Sequence, residues 1–244
     1  MKKINLFDFD ICNVSPQLCS LSLKEMLSVD RFHRVVTLNP QMVMASLIDD
    51  HLKSWIQTAD IITADGQGIS LALRLLKQQS CQRCTGIDLV MELLQKPYRF
   101  YFVGGSSAVL ERMLNSIQNK YPNAIVSGAS HGFLSDDQER DVIAEIEAVQ
   151  PDFIFVAMGF PKQEYFIQHC SFVCKRGIAI GVGGVFDVLS GYKNRAPVWV
   201  QNMKMEWFFR SFQDPVRIFR LGYLFRYVVY VFKLFFLKLL KRAI

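Results

Sequence analysis

Several features that would narrow the function of this 244-residue chain are missing from it. No stretch of the basic tail is apolar for long enough to cross a bilayer: its longest run between charges is the six residues Tyr227 to Phe232, so a spanning helix is not expected there. The N-terminus has no secretory signature, because Met1-Lys2-Lys3 leads into a segment broken by Asp8 and Asp10, without an apolar core or a small-residue cleavage site. A cytosolic compartment is therefore expected, and the six cysteines read as free thiols. Cys81-x-x-Cys84 and Cys170-x3-Cys174 lack the second ligand pair or the histidine spacing of a zinc site. A complete dinucleotide motif is also absent, since Gly181-Val182-Gly183-Gly184-Val185-Phe186 has phenylalanine where the third glycine belongs.

What is present is unevenly distributed. From Met203 to the end, nine Lys or Arg face only Glu206 and Asp214, a net charge of +7 in a chain whose total is +6. The first 202 residues therefore carry −1, which excludes a generally nucleic-acid-binding body and assigns the basicity to the tail. The length suits one α/β domain with an appendage, here divided as residues 1–196 and 197–244.

Short apolar runs alternate with amphipathic ones about six times, which predicts a doubly wound, mostly parallel sheet. Residues 4–12 read as a first strand or hairpin. Asp8-Phe9-Asp10 within it reads as a solvated edge rather than a cation site. Arg34 to Leu38 reads as a strand, followed by Asn39 as N-cap, Pro40 at the first helical position and a helix to about Trp55.

The run Ile61-Ile62-Thr63-Ala64 stops at Asp65-Gly66-Gln67-Gly68 and a new amphipathic segment begins, so Asp65 falls at the carboxyl end of a strand. In open α/β sheets that edge surrounds the ligand crevice, although a carboxylate there also suits a helix cap. Thr37 and Asn39, two apart, stand at an equivalent edge, and Arg83 precedes a helix start at Thr85 or Gly86 as a cation within reach of a phosphate. Strand, Gly104-Gly105-Ser106 and helix follow one another as in an anion-binding turn. Further strand-to-helix turns come at Gly159-Phe160-Pro161-Lys162-Gln163-Glu164 and at Gly183-Gly184. His131 reads as a loop residue, and Ser135-x-x-Gln138 as a capping box opening a helix to about Val149.

On a helical wheel, Leu221, Phe225, Val228, Val229, Phe232, Phe235, Phe236, Leu239 and Leu240 share an arc of about 140°. Arg226, Lys233, Lys238 and Lys241 lie on the other side, with Tyr227 and Tyr230 among them. Such a basic, aromatic helix suits an anionic bilayer surface. Docking on its own domain or on a second subunit is the competing use of the same face.

Taken in order, Thr37-x-Asn39, Asp65-Gly66-x-Gly68, Arg83-x-Thr85-Gly86-x-Asp88, Gly104-Gly105, Pro161-x-Gln163-Glu164, Gly183-Gly184-x-Phe186-Asp187, Arg195-Ala196-Pro197 and Glu206-Trp207 with Arg210 resemble the WecG/TagA/CpsF family of bacterial glycosyltransferases (glycosyltransferase family 26). The resemblance implies an inverting, metal-independent transfer with no cofactor, from a UDP-sugar to a polyprenyl-diphosphate-linked amino sugar, on the inner face of the cell membrane. N-acetylmannosamine, its uronic acid or a related hexose is the sugar it implies. It assigns Asp65 as general base, with Thr37, Asn39, Arg83 and Gln163 lining the pocket. Gly66, Gly68, Thr85, Asp88, Gly104, Gly105, Gly183, Gly184, Asp187 and Arg195 are assigned to substrate binding by the same motifs, together with Arg210, Arg217 and Arg220 of a membrane-binding tail that closes over the site. Ser190 before Gly191 and the Phe- and Leu-rich end of the tail depart from the pattern. Two rivals remain: a nucleotide-dependent oxidoreductase, against which the incomplete glycine motif counts, and a non-enzymatic membrane-binding module, which leaves the polar strand ends without a common purpose.

Overall fold

The computed structural model describes residues 1–197, Val200 and 221–243. Its strands are β1 (Lys3–Leu6), β2 (Phe9–Cys12), β3 (Phe32–Leu38), β4 (Ile61–Ala64), β5 (Arg99–Gly104), β6 (Ile125–Ser130), β7 (Phe153–Ala157) and β8 (Gly177–Gly181). They form one eight-stranded sheet in the order β1-β2-β4-β3-β8-β7-β5-β6. β1 and β2 make an antiparallel hairpin, and every other neighbouring pair is parallel. The doubly wound α/β fold expected from the alternation is therefore present. β7 and β8 carry no polar side chain because helices cover both of their faces.

The helices are α1 (Pro16–Met26), α2 (Pro40–Ser46), α3 (Asp50–Gln57), α4 (Gly66–Ala72, prolonged by a π turn over Leu73–Lys77), α5 (Gly86–Leu94), α6 (Ser107–Lys120), α7 (Asp136–Val149), α8 (Lys162–Val173), α9 (Val185–Leu189) and a C-terminal helix (Leu221–Ala243). Successive strand residues point to opposite faces, so the sheet divides its apolar residues between two cores. Val35, Ile61, Phe100, Phe102, Phe153, Phe155 and Ile180 meet α1, α5, α6 and α9 on one face. Val36, Leu38, Ile62, Tyr101, Val103 and Val156 meet α2, α3, α4, α7, α8 and the C-terminal helix on the other. The adjacent strands β3 and β8 thus send their helices, α2 and α9, to opposite faces. That divergence is the switch point at which open α/β sheets form a crevice beyond their carboxyl ends.

Two local readings change. The single helix expected from Asn39 to about Trp55 is two helices, because Asp49 accepts a hydrogen bond from the Leu52 amide at 2.9 Å and starts a new one at the exposed Ile48 corner. Helix α1 was not anticipated, although Ser15 as N-cap and Pro16 at the first helical position are its ordinary start signals.

The C-terminal helix docks on its own domain through a narrow strip. Tyr227 and Val231 are buried in the core, Tyr227 lies edge-on to Phe7 with ring centroids 6.0 Å apart, and Lys238 donates from Nζ to the carbonyl of Leu76. The wheel sets Tyr227 among the cationic residues, yet it is the centre of the docked strip. Most of the apolar arc points outward, with Phe225 71% exposed, Phe236 60% and Leu240 63% and Val229 and Phe232 beside them, while Phe235 of the same arc packs against the core. Docking therefore leaves most of that face unsatisfied. No helix among the described residues is long and apolar enough to cross a membrane.

Candidate active site

β3 and β4 run in register, with Leu38 opposite Ala64, so the turns that leave them emerge side by side. The Asp65 amide donates to the Leu38 carbonyl at 2.9 Å, which pins the two turns together. Asn39 is the N-cap of α2: its Oδ1 accepts from the amides of Gln41 at 3.0 Å and Met42 at 3.1 Å. Its oxygen is therefore committed to the helix start. Asp65 holds the equivalent position before α4, yet its side chain makes no cap hydrogen bond. Helix capping does not account for this carboxylate, which is partly exposed at the rim of the crevice.

The next two residues of interest are glycines for different reasons. Gly66 has φ +79°, a left-handed conformation that side chains disfavour. Gly68 is cramped instead, since a Cβ there would lie 2.5 Å from Pro40 Cγ and 3.3 Å from the Tyr227 ring. Its carbonyl also accepts the Tyr227 hydroxyl at 3.1 Å. The Asp65 turn is thus wedged between the start of α2 and the C-terminal helix.

At the switch point, the buried Thr37 donates from Oγ1 to the Gly181 carbonyl at 3.1 Å, tying β3 to β8. Beyond Gly181 lies Gln163, 5% exposed, whose Oε1 accepts the Gly183 amide at 3.0 Å and whose Nε2 donates to Glu164 Oε1 at 2.8 Å. Gln163 is therefore buried beyond the end of β8, with its oxygen and one donor already used. Glu164 is 2% exposed, and burial pushes its carboxyl up to about 7, only partly offset by the hydrogen bond from Gln163. The Pro161-x-Gln163-Glu164 motif by itself gives Glu164 no role. The signal that places it inside is its spacing on α8, three residues before the buried Ile167 and six before the buried Cys170.

The remaining predicted residues spread along the same sheet edge. Thr85 caps α5, accepting from the Asp88 amide at 3.3 Å and donating to Asp88 Oδ2 at 2.6 Å, while Arg195 clasps Asp88 Oδ1 from the far side of the chain. Arg83 leads into that cap. At Gly104 and Gly105 the chain lies against β7: a Cβ on Gly104 would meet the Ala157 carbonyl at 2.4 Å, and the Gly105 amide donates to that carbonyl at 3.2 Å. The Gly105 amide is consequently turned toward the sheet. Gly184 caps α9, and Asp187 pairs with Lys193 at 2.8 Å. Arg210, Arg217 and Arg220 lie outside the described residues.

Outside this edge, His131 accepts the Phe133 amide on Nδ1 at 3.3 Å as part of its own loop. Asp8 lies in the β1–β2 turn with φ +65° and pairs with Lys53 at 2.7 Å, and Asp10 accepts from Asn5. Among the described residues there is no group of three His, Cys, Asp or Glu side chains placed to hold a metal ion.

Comparison with known proteins gives a consistent pattern. The model of the glycosyl transferase WecG/TagA/CpsF family matches residues 4–243. A protein of Bacillus subtilis (strain 168) named N-acetylglucosaminyldiphosphoundecaprenol N-acetyl-beta-D-mannosaminyltransferase is 32% identical over 204 residues, 82% of this chain and 78% of the relative. One of the same name from Staphylococcus aureus (strain MW2) is 35% identical over 191 residues, covering 77% and 74% respectively.

Proposed function

Because this chain belongs to the WecG/TagA/CpsF family of glycosyl transferases, we propose that it moves an N-acetylmannosamine-type sugar from a UDP-sugar to a polyprenyl-diphosphate-linked amino sugar during assembly of a cell-surface glycopolymer. The names of its relatives supply the sugar and the lipid-linked acceptor in this reading. The observation that carries the chemistry is Asp65: a carboxylate at the end of β4, beside the switch point, that holds the N-cap position of α4 without making a side-chain cap hydrogen bond to it.

Glycosyl transfer needs a base for the proton of the attacking hydroxyl and positive potential for the departing diphosphate. Asp65 is the base in this reading, and attack on the face opposite the leaving group inverts the anomeric centre. The potential comes from the helix starts gathered at the carboxyl edge, from Arg83, and from Arg210, Arg217 and Arg220 of the tail. Arg195 contributes by holding Asp88 and the start of α5 in place. No divalent cation is required for this division of labour.

A lipid-linked acceptor confines the reaction to a membrane surface. The outward residues of the C-terminal helix, with Phe225, Val229, Phe232, Phe236 and Leu240 exposed and Arg226 and Lys233 beside them, suit the interface of an anionic bilayer and support a peripheral location on the inner face. The same helix reaches the Asp65 turn through Tyr227, so the element that meets lipid also borders the site.

The test is turnover of purified protein with a panel of UDP-sugars and a synthetic lipid-diphosphate-linked N-acetylglucosamine, in the presence of EDTA. Product from the wild type and almost none from Asp65→Asn is the expected result. Undiminished turnover by Asp65→Asn removes the base assignment, and a strict requirement for added Mg2+ or Mn2+ removes the metal-independent mechanism.

A further inference from the structure

The α8 start carries a buried carboxyl group that the reaction as described does not use. Glu164 and Gln163 are both more than nine-tenths buried, and both lie against Gly181: a Cβ on that glycine would fall 2.6 Å from Gln163 Nε2 and 3.4 Å from Glu164 Oε1. Gly181 has no side chain so that this pair can occupy the space over the end of β8. Among the described residues Glu164 Oε2 has no hydrogen-bond partner, so the group contributes one short contact, to Gln163.

That contact decides something a glutamine cannot decide for itself. A carboxamide has nearly the same shape in its two flipped orientations, and its partners alone select between them. The Gly183 amide can only donate, so it requires the oxygen of Gln163 to face it. Glu164 Oε1 accepts, so it requires the nitrogen. The two contacts agree, and together they lock the amide in one orientation and hold the Gly183 turn, itself at φ +55°, against the end of β8. The same strand end is fixed from the other side by Thr37 on Gly181. We propose that Glu164 is a positioning residue: by fixing the Gln163 carboxamide it sets the Gly183–Gly184 turn, and thereby the β8 wall of the transfer site.

The inference rests on the reading of this sheet edge as the site of glycosyl transfer, and two readouts separate the one from the other. Glu164→Met keeps the length of the side chain and removes both oxygens, whereas Glu164→Gln keeps an acceptor oxygen without a carboxyl group. The geometric readout is hydrogen exchange at the Gly183 amide, which does not depend on any substrate. In Glu164→Met it is expected to accelerate by about tenfold, the scale of one hydrogen bond. In Glu164→Gln it stays at the wild-type rate. The functional readout is kcat/KM for transfer, expected to fall by at least about tenfold in Glu164→Met, as displaced site walls do, and to be restored in Glu164→Gln.

Unchanged exchange at Gly183 in Glu164→Met overturns the proposal, and so does a Glu164→Gln variant as defective as Glu164→Met. Should Glu164→Met not fold, Glu164→Gln decides alone: loss of protection at Gly183 there overturns the proposal, and retained protection with retained turnover supports it. If no sugar transfer is observed with the wild type, the functional reading fails, while exchange at Gly183 still tests the role of Glu164.

Discussion

The two halves of the carboxyl edge are held in different ways. Around β8, the turn is fixed from within: Thr37 on Gly181, Gln163 on Gly183 and Glu164 on Gln163 are all buried and all belong to the α/β body. Around β4, the Asp65 turn is completed from outside, because Gly68 is packed against Tyr227 of a helix contributed by the end of the described chain. A site with one wall preorganised and the other supplied by a docked helix responds to what that helix touches. Since the helix turns most of its apolar arc outward, a lipid surface bound there, as in the proposed function, would act on the Asp65 side and leave the Gln163 side alone.

The largest expected effect lies in the chemistry of the outer wall. Asp65→Asn preserves shape and removes the proposed base, so kcat should fall by roughly 10²–10⁴-fold, the range for a general base, while thermal unfolding stays close to wild type. A loss of stability parallel to the loss of activity would mean that Asp65 is a structural residue of the β4 turn, and the contrast between the two walls would disappear.

Next comes the docking itself. Tyr227→Ala removes a buried ring that touches Phe7, Gly68 and the core, and should cost about 3–5 kcal/mol, seen as a fall in Tm of roughly 10 °C for a chain of this size. Tyr227→Phe keeps the ring and loses only the bond to the Gly68 carbonyl, a cost of about 1 kcal/mol. If the comparison holds, exchange at the Asp65–Gly68 amides accelerates in Tyr227→Ala and exchange at Gly183 does not.

The inner wall answers to pH. The Glu164 carboxyl titrates at about 7 in the folded chain against an ordinary value of 4.5. Because the folded value is the higher one, the native state holds the proton longer than the unfolded chain does. The associated stability is complete below 4.5 and is lost as pH rises through about 7. A displacement of that size corresponds to roughly 3 kcal/mol at most. Denaturation midpoints of the wild type relative to Glu164→Gln, followed from pH 4.5 to 8, should decline by an amount within that bound; a flat difference would show that burial does not perturb this group.

The contrast between the walls was legible in the sequence only in part. The parallel sheet followed from unbroken apolar runs such as Phe153–Ala157, and the positions of Asp65, Thr37, Asn39 and Gln163 followed from where such runs stop. Periodicity locates the end of a strand; it does not reveal which oxygen faces which nitrogen. Thus Asn39 and Asp65 looked alike, and only the cap bonds made by one and not by the other distinguish them. The C-terminal helix shows the same limit in another form. Its hydrophobic arc is mostly an outward face, but the strip that docks, Tyr227 with Val231, Leu234, Phe235 and Lys238, is mixed and takes only Phe235 from that arc, so no amphipathic pattern points to it.

That division of one helix into two faces gives the smallest expected effect on the fold and the most selective one on function. Phe232 and Phe236 lie on the outward arc, 44% and 60% exposed. Replacing both with serine removes little buried surface, so stability in solution should change by no more than about 0.5 kcal/mol per site, and Tyr227 should remain seated on Gly68. If the proposed lipid contact is made here, the same pair would insert apolar rings into the interface of a liposome, each contributing in proportion to the area it buries there. The double variant should therefore sediment poorly with anionic vesicles while unfolding at nearly the wild-type temperature. Transfer to a lipid-linked acceptor in vesicles should fall, whereas transfer to a short-chain, water-soluble acceptor should be maintained. Equal loss on both acceptors would mean that the outward arc acts on the Asp65 wall directly rather than through the membrane, and unchanged vesicle binding would assign the lipid contact to another surface.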